Sequence, residues 1–111
     1  MTDYKTYYHS IGTTILYIKF QLDTEKKTAT LFNFFHPEEY IKLFIQLFAS
    51  SVEDLLSKNY ETFIQTVTLD DWDNFLKKDE RWKIREKTKD MVDIECKLDE
   101  ALKAFYNGLT Q

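Results

Sequence analysis

Two histidines, one cysteine and a handful of clustered charges are all this 111-residue chain offers for chemistry. His9 and His36 stand 27 residues apart, and neither belongs to a His-x-x-x-His or Cys-x-x-Cys pair. A metal site needs several such ligands at fitting spacing, so none is expected. His36 directly precedes Pro37-Glu38-Glu39, which places a titratable imidazole beside two carboxylates. The ordinary explanation is a loop histidine before a helix, and His9, in a tyrosine-rich segment, reads the same way. Cys96 lies between Glu95 and Lys97 with no base near it in sequence. Nucleophilic catalysis requires such a base, so the thiol reads as structural and at least half-buried. Ser50-Ser51 reads as a helix cap rather than a nucleophile.

Asp70, Asp71 and Asp73 form the densest acidic cluster and surround Trp72. Paired carboxylates can do acid–base work or hold a divalent cation, but the loop lacks the glycine and alternating oxygens of an EF-hand. Acids at a helix start are favoured by the helix dipole alone. An exposed Trp72 framed by aspartates would anchor a basic partner, so Asp70, Asp71, Trp72 and Asp73 are the expected protein-binding residues. From Lys77 to Lys89 run seven cations (Lys77, Lys78, Arg81, Lys83, Arg85, Lys87, Lys89) against three acids, giving +4. The whole chain is −4, so the remainder is −8. With Trp82 among them, these cations could hold phosphates and stack a base, although interleaved acids usually mark a solvated helix face. Only Gly12 and Gly108 are present, which excludes P-loop and Rossmann phosphate cradles.

The elements that would carry these groups follow from apolar periodicity. Residues 37–48, PEEYIKLFIQLF, predict a central helix with Pro37 at its start and Leu43, Phe44 and Leu47 buried. Before it, residues 1–12 predict an edge strand or arm. Residues 13–23 and 28–35 predict an antiparallel hairpin across the four-residue loop Thr24-Glu25-Lys26-Lys27. Ser51 and Asp54 resemble a capping box opening a second helix over 52–67, with a strand over 60–67 as the competing reading. Thr68 caps a third helix over 69–78. Ile84, Thr88, Met91, Ile94, Leu98, Leu102 and Phe105, spaced by three or four, predict a long C-terminal helix whose stripe could mediate a homodimer. The expected fold is one α+β domain, an N-terminal antiparallel hairpin or small meander followed by three to four helices packed on it.

The composition is globular: 43% hydrophobic and 31% charged, with 16% aromatic. A single cysteine forbids an internal disulfide and suits a reducing, cytoplasmic setting. No apolar run reaches membrane-spanning length. With no catalytic constellation, no cofactor motif and many Tyr and Trp, the types enriched at interfaces, the expected function is a small soluble, non-enzymatic protein-binding module. Low Gly, Pro and Ala beside abundant Lys, Phe, Tyr and Ile suggests a low-GC bacterium, phage or plasmid, and so an inhibitor, immunity or antidefence protein. The alternative is a nucleic-acid-binding regulator using residues 77–89.

Overall fold

A computed structural model describes residues 2–109. Six strands form one mixed sheet in the order β1-β2-β3-β4-β6-β5. The strands are β1 (Thr2–Ile11), β2 (Thr14–Asp23), β3 (Thr28–Phe35), β4 (Thr62–Thr68), β5 (Lys83–Lys87) and β6 (Met91–Lys97). The helices are α1 (Ile41–Ser57), α2 (Leu69–Asn74) and α3 (Ala101–Leu109). Among the described residues, no helix is long and apolar enough to cross a membrane.

Strands β1 to β3 form an antiparallel meander. Gly12, with φ +58°, opens the two-residue turn between Ile11 and Thr14, a conformation that Cβ-bearing residues resist. Thr24 to Lys27 close the second hairpin, and Asp23 Oδ1 accepts hydrogen bonds from the Glu25 and Lys26 amides at 3.0 Å. Phe32 is an extra residue in β3, because Lys19 pairs with Asn33 while Phe20 pairs with Leu31. Such a bulge bends the strand and re-aims its side chains.

Alternation sets the two faces. Leu16, Ile18, Phe20 and Leu22 of β2, Phe63 of β4, and Val92, Ile94 and Cys96 of β6 are buried beneath α1 and α3. The central-helix expectation is right in place but shifted in register. Pro37 caps a short 3-10 turn (Glu38–Tyr40) that leads into α1. Phe44, Phe48, Val52 and Leu55 are its buried side chains, while Leu43 and Leu47 are only partly covered.

The expectation of three to four helices after the hairpin is overturned: three of the six strands lie in the C-terminal half. Helix α1 runs through Ser51 to Ser57, so Ser51 caps nothing; its Oγ donates to the Phe48 carbonyl inside the helix at 2.7 Å. The competing strand reading holds over Thr62–Thr68, where β-branched Thr, Ile and Val alternate. Thr68 does cap α2, its Oγ1 accepting from the Asp71 amide at 3.1 Å, but α2 has only six residues. The long C-terminal helix is instead a hairpin, β5 and β6, followed by the nine-residue α3. MVDIECK alternates with period two, burying Val92, Ile94 and Cys96, and the three-to-four spacing had skipped two of those three. The stripe expected to support a homodimer is therefore split among two strands, the turn between them, a 3-10 turn and a short helix. Ile94, Leu98 and Phe105 from it lie inside the core.

Candidate functional site

In an open sheet with parallel strands, ligands bind beyond the carboxyl ends of those strands, where their connections diverge. Here β3 and β4 are the one parallel pair among the described strands. They pair only at Thr28–Thr62, Ala29–Phe63 and Thr30–Ile64. Beyond that β3 continues to Phe35 and β4 to Thr68, each still bonded to its other neighbour but not to each other. Residues 31–35 and 65–68 thus face a common crevice with no ladder between them. Backbone groups along such edges are available to an extended, amide-bearing chain.

Aromatic rings pack against one another in the core beneath β3 and β4. Phe105 of α3 stacks on Phe48 of α1 at 4.3 Å and meets Phe34 of β3 edge-on at 5.9 Å. Phe63 of β4 packs edge-on against Phe48 at 5.7 Å. Where β3 ends, the His36 ring lies 4.4 Å from Phe44. Its Nδ1 is 3.2 Å from the Pro37 carbonyl oxygen, which can only accept, so Nδ1 is the donor in that bond. Glu38 and Glu39 follow, both exposed, in the first turn ahead of α1. Where β4 ends, Asp70 and Asp71 open α2 in the same way. Both strand ends lead into acidic helix starts.

Two further cavities lie on the other side of α3 and β6. One, of about 470 Å³, is lined by Leu76, Asp79, Arg81, Trp82, Ala104 and Asn107 among others. Asp79 is held there by Arg81, Nη1 to Oδ2 at 2.8 Å, and the buried Trp82 Nε1–H has no acceptor among the described residues. The other, of about 340 Å³, includes Cys96, Arg81, Glu95 and Glu100. Burial first, then nearby Glu100 and Asp79, push the Cys96 thiol up to about 12, so it is no nucleophile at neutral pH. No group of three His, Cys, Asp or Glu could hold a metal among the described residues.

Of the expected site residues, Asp70, Asp71 and Asp73 are exposed, whereas Trp72 is half-buried and packs against the core. The basic segment is not a helix face. Lys83, Arg85 and Lys87 lie on the edge strand β5, all exposed, with Arg85 Nε 3.8 Å from Glu95. Lys77, Lys78 and Lys89 are exposed outside it, Lys77 lying 3.9 Å from Asp73. Trp82 is 5% exposed and cannot present a ring for base stacking. What the residue-level reading missed is the crevice, because it arises from where two strands stop pairing.

The fold is that of N-acetyltransferases. The chain is similar to the PaiA N-acetyltransferase of Thermoplasma acidophilum in complex with coenzyme A, with a TM-score of 0.63 and 15% identity over 86% of this chain and 61% of that one. It is similar also to the ribosomal-protein-S18-alanine N-acetyltransferase of Escherichia coli, with a TM-score of 0.62 and 15% identity over 86% and 69%. A third is the spermidine/spermine N-acetyltransferase SpeG of Vibrio cholerae, with a TM-score of 0.56 and 11% identity over 90% and 68%. The chain thus spans about three fifths of the first of these and about two thirds of the others. No protein-family model matches the chain, and no curated protein sequence does. This likeness overturns the expectation of a non-enzymatic binding module and of an inhibitor, which rested on finding no catalytic motif in sequence.

Proposed function

We propose that this chain transfers an acyl group from a thioester to an amine in the crevice between β3 and β4. The observation that carries the reading is the parting of those strands after three residue pairs, in a sheet shared with N-acetyltransferases. The Thermoplasma neighbour holds coenzyme A, which joins an amide-bearing arm to a diphosphate. The open strand edges suit the arm. The approach to α1 does not suit the diphosphate, because Pro37 offers no N–H and Glu38 and Glu39 occupy the 3-10 turn that leads into the helix. No step below therefore depends on that group.

In the transfer, the amine nitrogen attacks the thioester carbonyl carbon. A C–N bond forms, the nitrogen gives its proton to a base, the C–S bond breaks, and the sulfur leaves as thiolate and takes that proton from the protonated base to become the thiol. Unpaired backbone N–H groups along the open edges are the donors available to the developing oxyanion. His36, where β3 ends, is the imidazole placed to take the proton. The carboxylates that open both helical segments favour a cationic amine at the crevice mouth.

Thiol release from acetyl thioesters, measured against N-terminal peptide amines, spermidine and aromatic amines, tests this reading. The expected result is release with at least one acceptor and an acyl-sized mass increase in that acceptor. His36→Gln is expected to lower kcat/KM about 100-fold, the low end for loss of a general base. No release with any acceptor overturns the proposal.

A further inference from the structure

We infer that the donor bound in this crevice is not gripped by a diphosphate, and that the preferred donor is a thioester on an arm without one, of the acyl-pantetheine class. This rests on the acyl-transfer reading and deepens it. A helix start holds phosphate through free backbone N–H groups, uncompensated dipole and close approach of the backbone. Each of these is compromised at the β3–α1 junction. Pro37 contributes no N–H, and its carbonyl is already taken by the Tyr40 amide at 3.0 Å. Glu38 and Glu39, in the 3-10 turn that runs into α1, place two negative charges just ahead of the helix's positive end, where an incoming phosphate would meet them.

No glycine lies between Phe35 and Ser57, so every position at this junction carries a Cβ that keeps a bulky anion off the backbone. The first cation along the helix is Lys42, which stands four residues after Glu38 and leaves the segment 38–42 at −1. The start of α2 offers no substitute, since Asp70 and Asp71 stand there. What remains suited to a donor is the uncharged part of the crevice: the edges of residues 31–35 and 65–68, which have no ladder between them. An arm carrying amides and a thioester matches those edges, and a diphosphate adds only charge repulsion.

Calorimetric titration of the full chain with coenzyme A and with pantetheine tests the inference without depending on turnover. Pantetheine is expected to bind at least as tightly as coenzyme A. Glu38→Gln combined with Glu39→Gln, both at exposed positions, is expected to tighten coenzyme A about tenfold and leave pantetheine unchanged. Unaltered circular dichroism would confirm that the double variant is folded. Coenzyme A binding tenfold tighter than pantetheine to the unsubstituted chain overturns the inference while sparing acyl transfer. So does an affinity ratio that the double variant fails to move. Absence of binding by both compounds, together with no thiol release from acetyl-coenzyme A or acetyl-pantetheine, removes the acyl-transfer reading and the inference with it.

Discussion

On the face of the sheet beneath α1 and α3, Leu16, Ile18, Phe20, Phe63, Val92 and Ile94 are sealed from solvent. On the opposite face of the meander, Tyr4, Tyr8, Ile15, Phe32 and Phe35 are between 48% and 67% exposed. The first face coheres by exclusion of water. The second coheres by pairs. Tyr4 meets Phe32 edge-on at 5.2 Å, Tyr17 stacks near Phe35 at 6.3 Å, and the Lys19 ammonium lies 4.9 Å from the Tyr4 ring. On the β4–β6–β5 side the pairs become polar, with Thr66 Oγ1 donating to Asp93 at 2.6 Å. The difference teaches that aromatic content alone does not locate a core: rings of one residue type serve a sealed layer on one side and a solvated one on the other.

The largest contrast should be chemical. Cys96 sits on the sealed face with its thiol pushed up to about 12. At pH 8 its maleimide labelling is expected to run about 1,000-fold slower in the native protein than after unfolding, from the thiolate fraction alone. Labelling at the unfolded rate would show that this face is open. Next, Phe63→Ala should cost about 3–5 kcal/mol in denaturant unfolding, the range for a core phenylalanine. A loss no greater than that of Phe32→Ala would erase the distinction between the faces.

A smaller effect belongs to the bond that ties β1 to α1. The Tyr7 hydroxyl donates to Asp54 Oδ2 at 2.5 Å, and Lys58 Nζ lies 2.9 Å from the same oxygen. Burial first, and then Asp54, raise the Tyr7 hydroxyl well above the usual tyrosine range. The Tyr7 bond, followed by Lys58, holds the Asp54 carboxyl below its ordinary value. The depressed carboxylate contributes stability above the ordinary Asp value, about pH 4, and loses it as pH falls through the lower folded value. The raised hydroxyl contributes below about pH 10 and loses its share as pH rises through the higher folded value. Tyr7→Phe should therefore cost about 1.5 kcal/mol near neutral pH, at the low end for a charged acceptor because the site is partly solvated. Its stability curve should converge on that of the unsubstituted chain at both pH extremes; parallel curves throughout would refute the assignment. Smallest of all, Lys19→Ala should cost about 0.5 kcal/mol, as for an exposed cation–π contact, in the same unfolding measurement.

Much of the sealed face was legible because the period-two alternation of residues 13–23 and the β-branched and aromatic content of 28–35 are local. The hairpin, its four-residue loop, the Thr68 cap and the helical character of residues 41–48 all follow from neighbours in sequence. The C-terminal hairpin was misread because Ile84, Met91, Ile94 and Leu98 fit a helical spacing as well as a strand. Val92 and Cys96, which break the tie, had been set aside. Of the candidate site, His36 and its two glutamates stand out as a motif. The crevice does not, since no residue type announces that Leu31 and Gln65 stop having strand partners across it. The assignment of Trp82 to a basic surface failed for a related reason: tertiary contact with Phe63 at 6.0 Å, invisible in KKDERWKIREKTK, pulls the ring inward.

The three rungs joining β3 to β4 also govern how the molecule comes apart. Strands β1 to β3 close through turns of two and four residues, and β5 with β6 through one short turn, so each block gains its ladder from nearby sequence. The parallel rungs require α1 to be traversed first, and loop closure of that length is entropically late. Native-state hydrogen exchange should accordingly show the amides of the 28–30 and 62–64 junction losing protection at lower denaturant than the centre of the β1–β2 ladder. Exchange of both in one cooperative event would contradict this. The shortness of that parallel pairing thus makes the sheet two foldons joined at a narrow seam.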